Sequence, residues 1–126
     1  TAVLRYYDSK IEDLLKNTRV AKVGDYYFPA VNAPHFLASD LGNRLLDQYP
    51  TAPFSGVYRD EKDGTRSWSF RSRDDRVNVQ ELASSLGGGG HRNASGASEL
   101  HAEEKITFVP TSYDKWLQYH EPVGST

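Results

Sequence analysis

The chain has 126 residues, of which 37% are hydrophobic, 25% charged and 12% aromatic, with a mean hydropathy of −0.67. That mix suits one domain with a core of its own and is too aromatic for a disordered segment. A net charge of −2 excludes a general basic field for long nucleic acid, and the absence of cysteine excludes disulfide scaffolds, thiolate zinc sites and cysteine nucleophiles. No apolar run approaches the ~18 residues of a membrane span. The chain begins at Thr1, contains no Met and shows no targeting segment, so it is expected to be one domain of a longer, cytoplasmic polypeptide.

Ser9 and Glu12 stand at capping-box spacing, which predicts a short helix with Ile11, Leu14 and Leu15 on its apolar face. Residues 1–18 are therefore expected to be a connecting helix, and 19–126 the domain proper. Arg19 to Val23 and Tyr26 to Asn32 read as a hairpin around Gly24-Asp25, with Pro29 marking an edge strand or a bulge. Leu37, Leu41, Leu45 and Tyr49 recur every four residues and predict a helix over 38–48, closed by Pro50 and Pro53. Phe54 to Arg59 and Arg66 to Ser72 form a second hairpin through Asp63-Gly64. Asn78 caps another helix, with Val79, Leu82, Ala83 and Leu86 as its apolar face and Gly87 at its C-terminal stop. Ala97 to Leu100 and Lys105 to Val109 close the sheet, and a terminal helix over 111–119 is anchored by Trp116. Hairpins dominate, so the expected class is α+β: a largely antiparallel or mixed sheet of five to six strands, packed with helices.

The run Gly87-Gly88-Gly89-Gly90-His91 dominates the sequence. Glycines let a backbone approach a ligand closely and turn its amide groups inward as an anion cradle. His91 and Arg92 would stand at its lip, and a helical turn over 92–95 would add to the positive field. A flexible linker is the plain alternative, but the run is pinned between a helix and a strand. It has neither the Gly-Lys-Ser/Thr ending of a Walker loop nor the strand that precedes a dinucleotide fingerprint. In the strand before it, Ser69, Arg71 and Arg73 share one face. Arg73 is as readily a solvated residue paired with Asp60, Asp74 or Asp75, and Asp74-Asp75 reads as turn chemistry. The histidines at 35, 91, 101 and 120 never fall at metal-ligand spacing, and no serine elbow is present. The chain is equipped to bind a phosphorylated ligand rather than to cleave one.

Phe70-Arg71-Ser72, Val77-Asn78-Val79, Gly87 to His91 and Ala94-Ser95-Gly96-Ala97 together resemble the DHH-associated domain, the C-terminal substrate-binding domain of the DHH phosphoesterase superfamily. Val31-Asn32-Ala33 and the helix that follows also fit. The resemblance implies that Arg71, Ser72, Gly89, Gly90 and His91 contact the phosphate or terminal nucleotide, and that Asn32 lines the same cleft. It implies a catalytic DHH domain in the same polypeptide, holding divalent metal (manganese). The partner would be a nucleotide or a short oligonucleotide, with no membrane and with room for a homodimer. No Asp-His-His motif occurs here, so the chain alone is expected to lack catalysis and to hold no metal or cofactor. The competing resemblance is to the C-terminal RNA-binding domain of alanyl-tRNA synthetases, whose glycine motif usually lacks the histidine.

Overall fold

A computed structural model describes residues 2–120. The outer limits of the expected domain division, Thr1 and Thr126, lie outside the described residues. The elements run α1 (Ala2–Leu15), β1 (Arg19–Val23), β2 (Tyr26–Asn32), a 3-10 turn (His35–Leu37), α2 (Ala38–Gln48), β3 (Ser55–Asp60), β4 (Thr65–Arg71), α3 (Val79–Ser85), β5 (Gly89–His91), β6 (Ala94–Leu100), a second 3-10 turn (His101–Glu103), β7 (Ile106–Ser112) and α4 (Tyr113–His120). The strands form one sheet in the order β5-β6-β4-β3-β2-β1-β7. Every pairing is antiparallel except β2 with β3, whose parallel register needs a crossover that α2 supplies. The class is the expected one. The additional strand is β5, built from the glycine run itself.

Both faces of the sheet are covered, though unequally. On one face Val20, Val31 and Val57 meet Leu41, Leu45 and Tyr49 of α2, Ile11 of α1 and Tyr113 of α4. On the other, Phe28, Phe54, Trp68 and Phe70 meet Val79 of α3. Leu41, Leu45 and Leu46 are fully buried, each contributing about 1.5–3 kcal/mol by leaving water. Strand alternation does the sorting: along β4, Trp68 and Phe70 point to the α3 side, and Ser67, Ser69 and Arg71 to the α2 side.

Three local expectations are corrected. The first helix starts at Ala2, not at Ser9. Its early turns are held to α2 by the Tyr7 hydroxyl donating to Asp40 (2.6 Å) and by Arg44 donating to Asp8 (2.9 Å), so Ser9 lies mid-helix rather than at a cap. Pro29 is not on an edge, since β2 lies between β1 and β3. Pairing with β3 begins only at Ala30, so the amide that proline lacks is not required there. Finally, no helical turn covers 92–95. Arg92 and Asn93 form a two-residue turn and Ala94 already begins β6. Among the described residues no helix is long and apolar enough to cross a membrane.

Candidate functional site

The α2 helix packs across β3 and β4. Beyond it, β6 and β5 carry on that face Ala94, Gly96, Ser98, Leu100, Gly89 and His91. Ala94, Gly96, Ser98 and Gly89 are too small to build a second layer, and an open groove of about 660 Å³ remains over that part of the sheet. Its floor is Ser67, Ser69, Gly96 and Ser98, Arg71 stands at one end, Gly89 and Gly90 line it from β5 with Gly89 level with Gly96 and Ser69, and His35 lines it from the 3-10 turn. Among the described residues that line it, Arg71 alone carries permanent charge.

Arg71 is half-buried at the end of β4. Its stem lies against α2 so closely that a Cβ on Gly42 would stand 2.5 Å from its Cγ, which makes glycine necessary at that point of the helix. Its Nη1 donates to the Phe70 carbonyl (2.9 Å), and no carboxylate pairs with it among the described residues. Burial therefore pulls its pKa below the ordinary arginine value, with nothing to offset it. A guanidinium remains protonated under such a shift, so the groove holds a partly desolvated, uncompensated cation.

The glycine run is ordered differently from an amide cradle. Gly87 has a φ of +87° and donates to the Ser84 carbonyl (3.1 Å), while Gly88 donates to Ala83 (2.7 Å). This is the Schellman closure of α3, and it occupies the first two amides. In a ladder closed by a two-residue turn, the pair next to the turn is the hydrogen-bonded one. His91 and Gly89 thus face β6 with their amides, and Gly90 turns its own to the open sheet edge. What the glycines supply is room. A Cβ on Gly88 would lie 2.0 Å from the Gly96 carbonyl, and one on Gly90 would lie 2.6 Å from Ser95 Cα. Gly89 has nothing within 4 Å of that position and opens onto the groove.

Of the residues expected at the site, Arg71, Gly89 and Gly90 line the same groove. His91 is exposed and pairs with Ala94 at the groove's end, without lining it. Ser72 is buried on the other side of the strand, its amide donating to Asn93 (2.9 Å) and its hydroxyl unpartnered. Asn32 is exposed at the end of β2, outside the groove and on the Tyr58 side of the sheet. Arg92 is not at a lip: it donates to the Arg73 (2.6 Å) and Arg76 (2.7 Å) carbonyls and fastens the loop after β4. Arg73 pairs with Asp47 of α2 (3.1 Å) rather than with Asp60, Asp74 or Asp75. Sequence reasoning missed His35. Its only signal was proximity to the start of α2, because its place at the groove is a tertiary matter. Among the described residues no three His, Cys, Asp or Glu side chains come together as metal ligands, so the residues present do not fit a two-metal centre.

Residues 37–118 match the DHHA1 domain. Over 70 residues the chain is 50% identical to an uncharacterized protein of Acanthamoeba polyphaga mimivirus, covering 52% of the chain and 15% of that protein. Over 93 residues it is 32% identical to the oligoribonuclease NrnB of Bacillus subtilis (strain 168), covering 69% of the chain and 23% of NrnB. Among solved structures, an uncharacterized protein from Helicobacter pylori G27 superposes with a TM-score of 0.53 at 26% identity, over 74% of this chain and 24% of that one. The pGpG-specific phosphodiesterase PggH from Vibrio cholerae shares the fold, with a TM-score of 0.52 at 19% identity over 78% of this chain and 35% of its own. The chain thus spans well under half the length of each of these relatives.

Proposed function

The chain belongs to the DHHA1 domain family, and from that premise we propose that it is the substrate-binding domain of a metal-dependent phosphoesterase acting on nucleotides or short oligonucleotides. The observation that carries the reading is Arg71: a half-buried guanidinium without a carboxylate, at the end of a groove whose neighbouring strand is glycine. Such a cation is stabilised by an incoming anion, and its fork matches phosphate oxygens. Gly89 lets a phosphate approach the sheet edge, Gly90 offers the one amide of the strand turned outward, and exposed His91 adds a donor from the end. Ser72 acts from beneath by holding the strand end to the Arg92–Asn93 turn, and Asn32 belongs to the wider cleft rather than the groove. The name oligoribonuclease on one relative supports the substrate class. Hydrolysis, in this reading, belongs to a DHH domain that supplies manganese, in a cytoplasmic enzyme that is free to dimerise. No catalytic step is assigned to these residues.

Titration of the chain with a mononucleotide and with its unphosphorylated nucleoside tests the proposal. The nucleotide binds and the nucleoside binds far more weakly. Arg71→Ala lowers nucleotide affinity by about ten- to a hundredfold, the scale of one charged hydrogen bond. Equal affinity of wild type and Arg71→Ala for the nucleotide contradicts it.

A further inference from the structure

Away from Arg71, the groove continues along β4 and β6 past Ser69 and Gly96 to Ser67 and Ser98. Arg71 and Ser67 are four residues apart on one strand, so this stretch is roughly 13 Å long. A phosphate at Arg71 leaves that length for whatever the phosphate is attached to.

Two features mark this stretch. Ser69 is 8% exposed and lines the groove, yet its hydroxyl makes no hydrogen bond with any described residue. It stands on the groove face of β4, where an incoming ligand can pair with it. His35 is exposed on the wall, and no hydrogen bond or ion pair engages its ring among the described residues. The two are neighbours, since both border a small void of about 10 Å³ beneath the 3-10 turn. His35 and Ser69 thus border one space, over a floor of glycine and serine. The 3-10 turn is fixed at its base by the Leu37 amide donating to the Pro34 carbonyl (3.0 Å).

We propose that His35 and Ser69 form a nucleoside subsite next to the phosphate position, in which the His35 ring stacks on the base and the Ser69 hydroxyl hydrogen-bonds the sugar or base edge. The proposal rests on the phosphate reading above and adds the chemical identity of the group beyond the phosphate. A stack needs only a π-face, so this subsite tolerates any of the bases and distinguishes a nucleotide from a sugar phosphate.

The test titrates the whole chain, followed by amide chemical shifts, with three probes: adenosine monophosphate, ribose 5-phosphate and inorganic phosphate. The expected result is adenosine monophosphate binding roughly five- to a hundredfold tighter than ribose 5-phosphate, the range that stacking of one base gives. His35→Ala then brings the two to the same affinity and leaves ribose 5-phosphate unchanged. Ser69→Ala weakens adenosine monophosphate by severalfold but leaves inorganic phosphate unchanged. Equal binding of adenosine monophosphate and ribose 5-phosphate by the wild type, or a His35→Ala chain that still prefers the nucleotide, overturns the subsite while leaving the phosphate reading intact. Failure of all three probes to bind overturns both.

Discussion

Arg66 and Arg71 stand at opposite ends of β4 and on opposite faces of the sheet, in contrasting surroundings. Arg66 donates to Asp60 at 2.6 Å and lies 3.5 Å from Glu104, with its guanidinium over the rings of Tyr58 and Phe108. The Asp60 hydrogen bond is the main reason its pKa is raised above the ordinary arginine value. Arg71 has a glycine against its stem, one main-chain carbonyl and an open groove, and burial lowers its pKa. One cation is complete within the fold. The other is held in place by packing but left without a carboxylate, and the proposed phosphate role of Arg71 rests on that difference.

Breaking the comparison starts with the glycines, where the largest effect is expected. Gly88→Ala places a Cβ 2.0 Å from a backbone carbonyl and is expected to destabilise the domain by about 3 kcal/mol or more, read as a fall in thermal midpoint. Gly89→Ala meets nothing and is expected to change stability by less than about 1 kcal/mol, while obstructing nucleotide binding at the groove. A Gly88→Ala chain as stable as wild type would show that the close approach of Gly88 to β6 is not what orders the run.

The arginines themselves come next. Arg66→Ala is expected to cost about 2 kcal/mol in denaturant unfolding, because it strips Asp60 of its partner and opens the space between two rings, with nucleotide affinity unchanged. Arg71→Ala is expected to leave unfolding within about 0.5 kcal/mol of wild type. A reversal of these two outcomes would invert the assignment of roles.

Much of this was legible in the sequence, for identifiable reasons. The four-residue recurrence of Leu37, Leu41, Leu45 and Tyr49 gave α2 its bounds, and the Asn78 cap is present, accepting from the Gln80 (3.0 Å) and Glu81 (3.4 Å) amides. Strand alternation put Ser69 beside Arg71, and by the same rule it put Ser72 on the far side, where it is buried. The glycine run resisted reading because glycine has little strand preference. Its pairing depends on β6, and its amides follow from the helix it terminates. Likewise, Ile11 announced the core face of α1, but the helix's start depends on Asp40 and Arg44 of another helix.

The smallest expected effect concerns acid. Asp60 has a carboxyl pKa below the usual range, chiefly through its hydrogen bond from Arg66. A carboxylate depressed in the folded state contributes stability that is fully present above its unfolded pKa of about 4 and is lost as pH falls through the folded value. The wild type should therefore lose stability below about pH 4 through this pair, and Asp60→Asn, already without it at neutral pH, should lose less over the same window. Parallel acid titrations of the two chains would contradict the pairing as a source of stability.

The most direct test of the central claim is a residue-resolved map of amide shifts on adding a mononucleotide to the whole chain. The account predicts the largest changes at Ser69, Arg71, Gly89, Gly90 and Gly96, lost in Arg71→Ala. Changes centred on the α3 side of the sheet, or a map unaltered by removing the Arg71 guanidinium, would contradict it.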